Sequence, residues 1–159
     1  MQENPKISDM IYALRETDRS EGYFSPLIET TGLTWNFKIS DFDKLGLLIL
    51  HLDIKAKDTP ALPLEKQSEV LKEKLTYLEE DFKLVEYDRN NRTVILRSNL
   101  FHRMENSVNY YEIVLKEGNQ LSFDCYELDR TGGKRQICPT NLARATFERL
   151  LADFDNLLS

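Results

Sequence analysis

Leu33-Thr34-Trp35-Asn36-Phe37-Lys38-Ile39-Ser40 alternates large apolar side chains with polar ones over eight residues. Successive side chains of a strand point to opposite faces, so this stretch predicts a strand with one dry face (Leu33, Trp35, Phe37, Ile39) and one wet face. A sheet that is wet on one side is typically antiparallel, and its dry side needs a cover.

Working outward from this stretch, Tyr23 to Glu29 contains Pro26, which cannot donate to a ladder, so any strand there belongs at a sheet edge. After the polar stretch from Ser40 to Lys44, residues 46–55 predict a second strand, with Leu48, Leu50, Leu52 and Ile54 on one face. Leu47 and Ile49 make the start of its other face apolar too, which predicts a covering element at that end. Upstream, Asn4 followed by Pro5 gives a capped helix start, and Ile7, Met10, Ile11 and Leu14 mark one face of a helix expected over about residues 5 to 17.

Thr59, Pro60 and Pro63 precede Leu64, Leu71, Leu75, Leu78 and Phe82, whose spacing predicts a second helix over about 61 to 80. Glu79, Glu80 and Asp81 would then stand at its C-terminus, where the helix dipole disfavours negative charge, so nearby cations or a basic ligand are expected there.

The second half predicts a meander. Phe82 to Tyr87 and Thr93 to Ser98 flank Arg89-Asn90-Asn91-Arg92, and a turn at the paired asparagines sets Tyr87 against Val94 and Val85 against Leu96. A longer loop, 99–107, leads to a strand over 109–116. Gly118-Asn119 turns the chain into 121–129, and Thr131-Gly132-Gly133 turns it into 135–139. Pairing about this last turn puts Asp129 opposite Lys134, Tyr126 opposite Ile137, and Cys125 opposite Cys138. Pro139, Thr140 and Asn141 offer a cap to a last helix over about 141 to 158. Ala143, Phe147, Leu150, Leu151, Phe154 and Leu158 give it a wide apolar face.

The pattern predicts one α+β domain over residues 1–159: an antiparallel β-sheet meander with an N-terminal helix, a central helix and a long C-terminal amphipathic helix packed on the sheet. A chain of 159 residues suits a single core. Its 21 Lys and Arg against 27 Asp and Glu leave a net charge of −6. That acidity argues against nucleic acid as a partner, because such binding neutralises phosphates with clustered cations. The longest apolar run, Leu45 to Leu50, falls well short of the roughly 20 residues that cross a bilayer, so no membrane partner is expected. Met1-Gln2-Glu3-Asn4-Pro5 lacks the layout of a secretory signal, and two cysteines are too few for a disulfide scaffold, so a cytoplasmic, reducing environment is expected.

No catalytic set converges in the sequence, and the expectation is a non-enzymatic chain without catalytic, cofactor-binding or metal residues. His51 and Asp53 share a strand face, and an imidazole beside a carboxylate is part of several general-base arrangements, but no nucleophile elbow accompanies them. His51 and His102 lack His-Glu-x-x-His spacing, and Cys125 and Cys138 lack Cys-x-x-Cys spacing, so no zinc site is expected. Asp41 and Asp43 read as turn residues. Thr131-Gly132-Gly133-Lys134 joins two strands and therefore reads as a hairpin turn and not a phosphate loop. Arg130, Lys134 and Arg135 make its tip basic, a spot suited to an acidic partner. Cys125 opposite Cys138 is within reach of a disulfide, although small buried thiols are the commoner outcome. Tyr110 and Tyr111 point to opposite faces, with Phe123 and Tyr126 on the next strand.

In its element order (a helix, two or three strands, a helix, several strands and a final helix), its acidity and its size, the chain resembles the type III secretion chaperones. The resemblance implies a non-enzymatic, homodimeric protein that binds another polypeptide through apolar patches on its sheet and helices. The faces expected to serve this are Ile7, Met10, Ile11 and Leu14, with Leu47 and Ile49. The alternative expectation is a small apolar ligand-binding domain with a cavity between the sheet and the C-terminal helix.

Overall fold

The computed structural model describes residues 7–78, 80–101 and 105–159. The elements run α1 (Ile7–Tyr12), β1 (Leu27–Thr30), β2 (Leu33–Phe42), β3 (Gly46–Ala56), α2 (Leu64–Lys74), β4 (Phe82–Asp88), β5 (Thr93–Ser98), β6 (Ser107–Lys116), β7 (Gln120–Asp129), β8 (Arg135–Ile137), β9 (Thr140–Ala143) and α3 (Arg144–Leu158). The class is α+β, with a nine-stranded antiparallel sheet in the order β1-β2-β3-β7-β6-β5-β4. β8 adds to β7, and β9 adds to β3.

Leu33, Trp35, Phe37 and Ile39 of β2 are buried, as their alternation requires. They meet α3, whose Phe147, Leu150, Leu151, Phe154, Leu157 and Leu158 are buried against the sheet. Phe37 and Phe147 stand 6.1 Å apart between ring centroids, and Phe123 and Phe154 stand 6.0 Å apart, so aromatic rings occupy the sheet–helix interface. α2 contributes Leu64 and Leu71 to the same core, and α1 contributes Ile11.

Several boundaries differ from the sequence reading, each for a local reason. The first helix ends at Tyr12, and Met10 is exposed while Ile11 is buried; its expected cap, Asn4 and Pro5, lies outside the described residues. In β3, bulges at Leu50 and, on β2, at Ser40 flip the alternation. Leu47 and Ile49 therefore join the buried face with Leu52, Ile54 and Ala56, and they are core residues instead of a partner surface.

α2 stops at Lys74, so Glu80 and Asp81 stand beyond its end, and the expected clash with the helix dipole does not arise; Glu79 lies outside the described residues. In the β4–β5 hairpin Tyr87 faces Val94 as expected, but Leu84 takes the place expected for Val85 opposite Leu96 because Val85 is bulged out. The turn's positive φ falls at Arg92, while the Asp88 side chain holds Asn91. Thr140 and Asn141, expected as part of a helix cap, and Ala143, expected on the helix face, instead belong to β9, which pairs with Gly46 to Ile49, so α3 starts at Arg144. Gly46 allows this approach, since a Cβ there would collide with the Leu142 carbonyl oxygen.

Candidate functional site

The sheet face turned away from α3 carries a row of charged side chains that crosses five strands. It forms where the sheet forks. β3 and β7 pair from Lys55↔Gln120 to Leu52↔Phe123 and then part. Beyond that point β3 takes β9 as its neighbour and β7 takes β8, with Cys138 and Pro139 carrying the chain from one prong to the other.

His51 and Asp124 occupy the next positions past the last backbone pair. His51 Nδ1 lies 2.6 Å from Asp124 Oδ1, and His51 Nε2 lies 2.8 Å from Asp53 Oδ2. Asp53 is steadied by the Asn36 side-chain amide, which donates to its Oδ1 over 3.2 Å. The sequence reading placed His51 and Asp53 on one face, and the structure joins them. Asp124 was missed: it is 73 residues away from His51, and nothing local announces which strand neighbours β3.

Both ring nitrogens lie within hydrogen-bond distance of carboxylate oxygens, a geometry in which the protonated ring donates on both sides. Its pKa is raised above the ordinary 6.5, chiefly by the hydrogen bond to Asp124, against the opposing effect of burial. With both nitrogens engaged by carboxylates, the ring has no free nitrogen for an incoming substrate proton.

Directly opposite Asp124 on β6 stands Glu112, buried at 5% exposure. Its Oε2 accepts from Arg97 Nε at 2.7 Å and from Arg135 at 2.8 Å. Arg135 also donates to the Tyr110 hydroxyl at 3.0 Å and lies over the Tyr126 ring, 3.9 Å from its centroid. Arg135, expected as part of a solvated basic tip, is thus folded back onto the sheet. Tyr110 and Tyr111 do face opposite ways: Tyr110 joins this polar row, and Tyr111 packs on Phe82, Phe101 and Phe123 inside.

Asp43 caps Leu45 and Gly46 in the turn as expected, whereas Asp41, also expected in the turn, lies within β2 opposite Leu48 because β2 runs on to Phe42; Asp129 holds Thr131. Cys125 and Cys138 are buried and opposite each other, with their sulfurs 3.2 Å apart and no disulfide between them. The Cys125 thiol beside it pulls the Cys138 thiol below its ordinary value. His102 lies outside the described residues, which hold no group of three or more potential metal ligands arranged for an ion. Beside His51 a shallow depression of about 500 Å³ is lined by Thr34, Asn36, Asp53, Lys55, Lys116 and Ser122, among others. It is open, and Ile54, Val114 and Leu121 contribute to its lining beside these polar side chains.

Comparison with protein-family models, with curated proteins and with solved structures gives no match to this chain. No helix among the described residues is long and apolar enough to cross a membrane.

Proposed function

We propose that this chain is a non-enzymatic protein-interaction domain, chaperone- or adaptor-like in role and cytoplasmic in location, that presents a sheet edge to another polypeptide. The observation that carries this reading is β4. It ends the path of the sheet, and no described strand pairs with its outer side. Its Leu84 and Val85 are 46% and 49% exposed. A free edge offers a row of unpaired backbone donors and acceptors, and exposed apolar side chains beside it supply contact area for an added strand. The opposite edge, β1, is only four residues long and follows Pro26, so it is a poorer template.

Two further features agree with this reading. The sequence resembles the type III secretion chaperones in element order, acidity and size, which implies binding of other polypeptides by a homodimer. His51, with both ring nitrogens engaged by carboxylates, is also poorly placed to act as a general base.

Native mass spectrometry of the untagged protein from its own source tests the proposal. A dimer or a polypeptide complex is expected, lost in a Val85→Lys variant that keeps its thermal transition. A bare monomer with no bound polypeptide would contradict the reading.

A further inference from the structure

We infer that the occupant of the β4 edge is the β4 edge of a second copy of this chain, paired antiparallel in one register. The inference rests on the reading above and names its partner.

Strand β4 reads Phe82-Lys83-Leu84-Val85-Glu86-Tyr87-Asp88. Antiparallel pairing with Lys83 opposite Glu86 of the second copy also places Phe82 opposite Tyr87, each contact occurring twice about the two-fold axis, with the bulged Leu84-Val85 step at the axis itself. Shifting by one residue in either direction ruins this match. One shift sets Lys83 against Tyr87 and Leu84 against Glu86; the other sets Lys83 against Val85 and Phe82 against Glu86. A parallel pair in register would stack Lys83 on Lys83.

Facing residues in an antiparallel pair must lie on the same side of the sheet. In a regular strand Lys83 and Glu86, three apart, would point to opposite sides. Here Lys83 pairs with Arg97 and Glu86 with Ile95 on β5, and those two partners share a face. Phe82, Leu84 and Tyr87 pair with Ser98, Leu96 and Val94, which share the other face. The bulge at Val85 therefore brings the opposite charges onto one side, where each can meet its complement in a second copy.

Lys83 and Glu86 are exposed, and neither forms an ion pair with another described residue. Edge charges and a bulge discourage pairing with arbitrary strands. Their order along β4 leaves one favourable partner, which is β4 itself.

The test is a charge-swap series followed by sedimentation over a range of concentrations. The parent is expected to dimerise. Lys83→Glu and Glu86→Lys should each weaken self-association roughly tenfold or more, because like charges then face each other twice. Mixing the two single variants should restore a one-to-one heterodimer, and the double variant should again form a homodimer. The substitutions are exposed, and an unchanged thermal transition in each variant verifies the fold. A parent dimer insensitive to either single variant would overturn the register while leaving the interaction reading in place. A parent that is monomeric but carries another polypeptide sensitive to Val85→Lys would overturn the second copy as occupant, again without touching that reading. A parent that is monomeric and bare would overturn both.

Discussion

His51 on β3 and Asp124 on β7 make a 2.6 Å contact at the point where the backbone pairing of their two strands ends. The side chains continue, by one charged rung, a ladder that the main chain has abandoned. With Asp53 on the other ring nitrogen, His51 is a clasp at the crotch of a fork whose prongs are closed by β8 and β9.

The clasp makes stability depend on pH in a defined direction. The folded-state pKa of His51 is raised above 6.5, so its contribution is fully present below about pH 6.5 and is lost as pH rises through the higher folded value. Unfolding free energy measured across this range should fall on the alkaline side, and His51→Gln should remove that slope. Proton NMR titration of the two histidines gives the site directly. Asp124→Asn should bring His51 down toward the ordinary value and cost about 1.5 to 3 kcal/mol, the range for a hydrogen bond to a charged group.

Glu112 is a buried carboxylate that neutralises two arginines, each about two-fifths exposed. Replacing it by Gln leaves Arg97 and Arg135 facing a neutral acceptor. A loss of about 1 to 3 kcal/mol is expected by denaturant titration, below the cost for a fully buried pair because water still reaches the arginines. Stability equal to the parent would show that the arginines are satisfied elsewhere.

Phe154 of α3 is fully buried against Phe123, so Phe154→Ala should cost about 3 to 5 kcal/mol. Leu150→Asp should abolish the fold, since burial of an unpaired charge costs several kcal/mol against a total stability of about 5 to 15. A cooperative thermal transition near the parent value in Leu150→Asp would contradict the packing described.

Cys125 and Cys138, 3% and 8% exposed, are not joined by a disulfide. The intact mass should not change when reductant is added, and alkylation should require unfolding. An increase of two hydrogens on reduction would show a disulfide instead.

The parts of this architecture that were legible in the sequence are those fixed locally. Gly118-Asn119 marked the turn between β6 and β7, and the turn at Thr131-Gly133 determines its strand register by simple counting, so that Cys138 N indeed donates to Cys125 O at 3.0 Å. The strict alternation of β2 and the helical spacing of α3 exposed their buried faces in the same way. The bulges at Leu50 and Val85 were not legible, because a bulge is chosen by the fit of two paired strands and leaves no clear mark on either. For the same reason β9 passed for a cap. The site was half visible: His51 and Asp53 sit two apart on one strand, whereas Asp124, Glu112 and Arg135 join them only through the order of strands in the sheet.

The most direct test of the central claim is hydrogen exchange at the β4 amides of the intact protein at high and low concentration. The account predicts that amides of residues 82–88 on the outer side of the strand are protected when concentrated and exchange freely on dilution, while the core strands β6 and β7 do not change. Exchange at β4 that is fast and independent of concentration, in protein carrying no bound polypeptide, would contradict it.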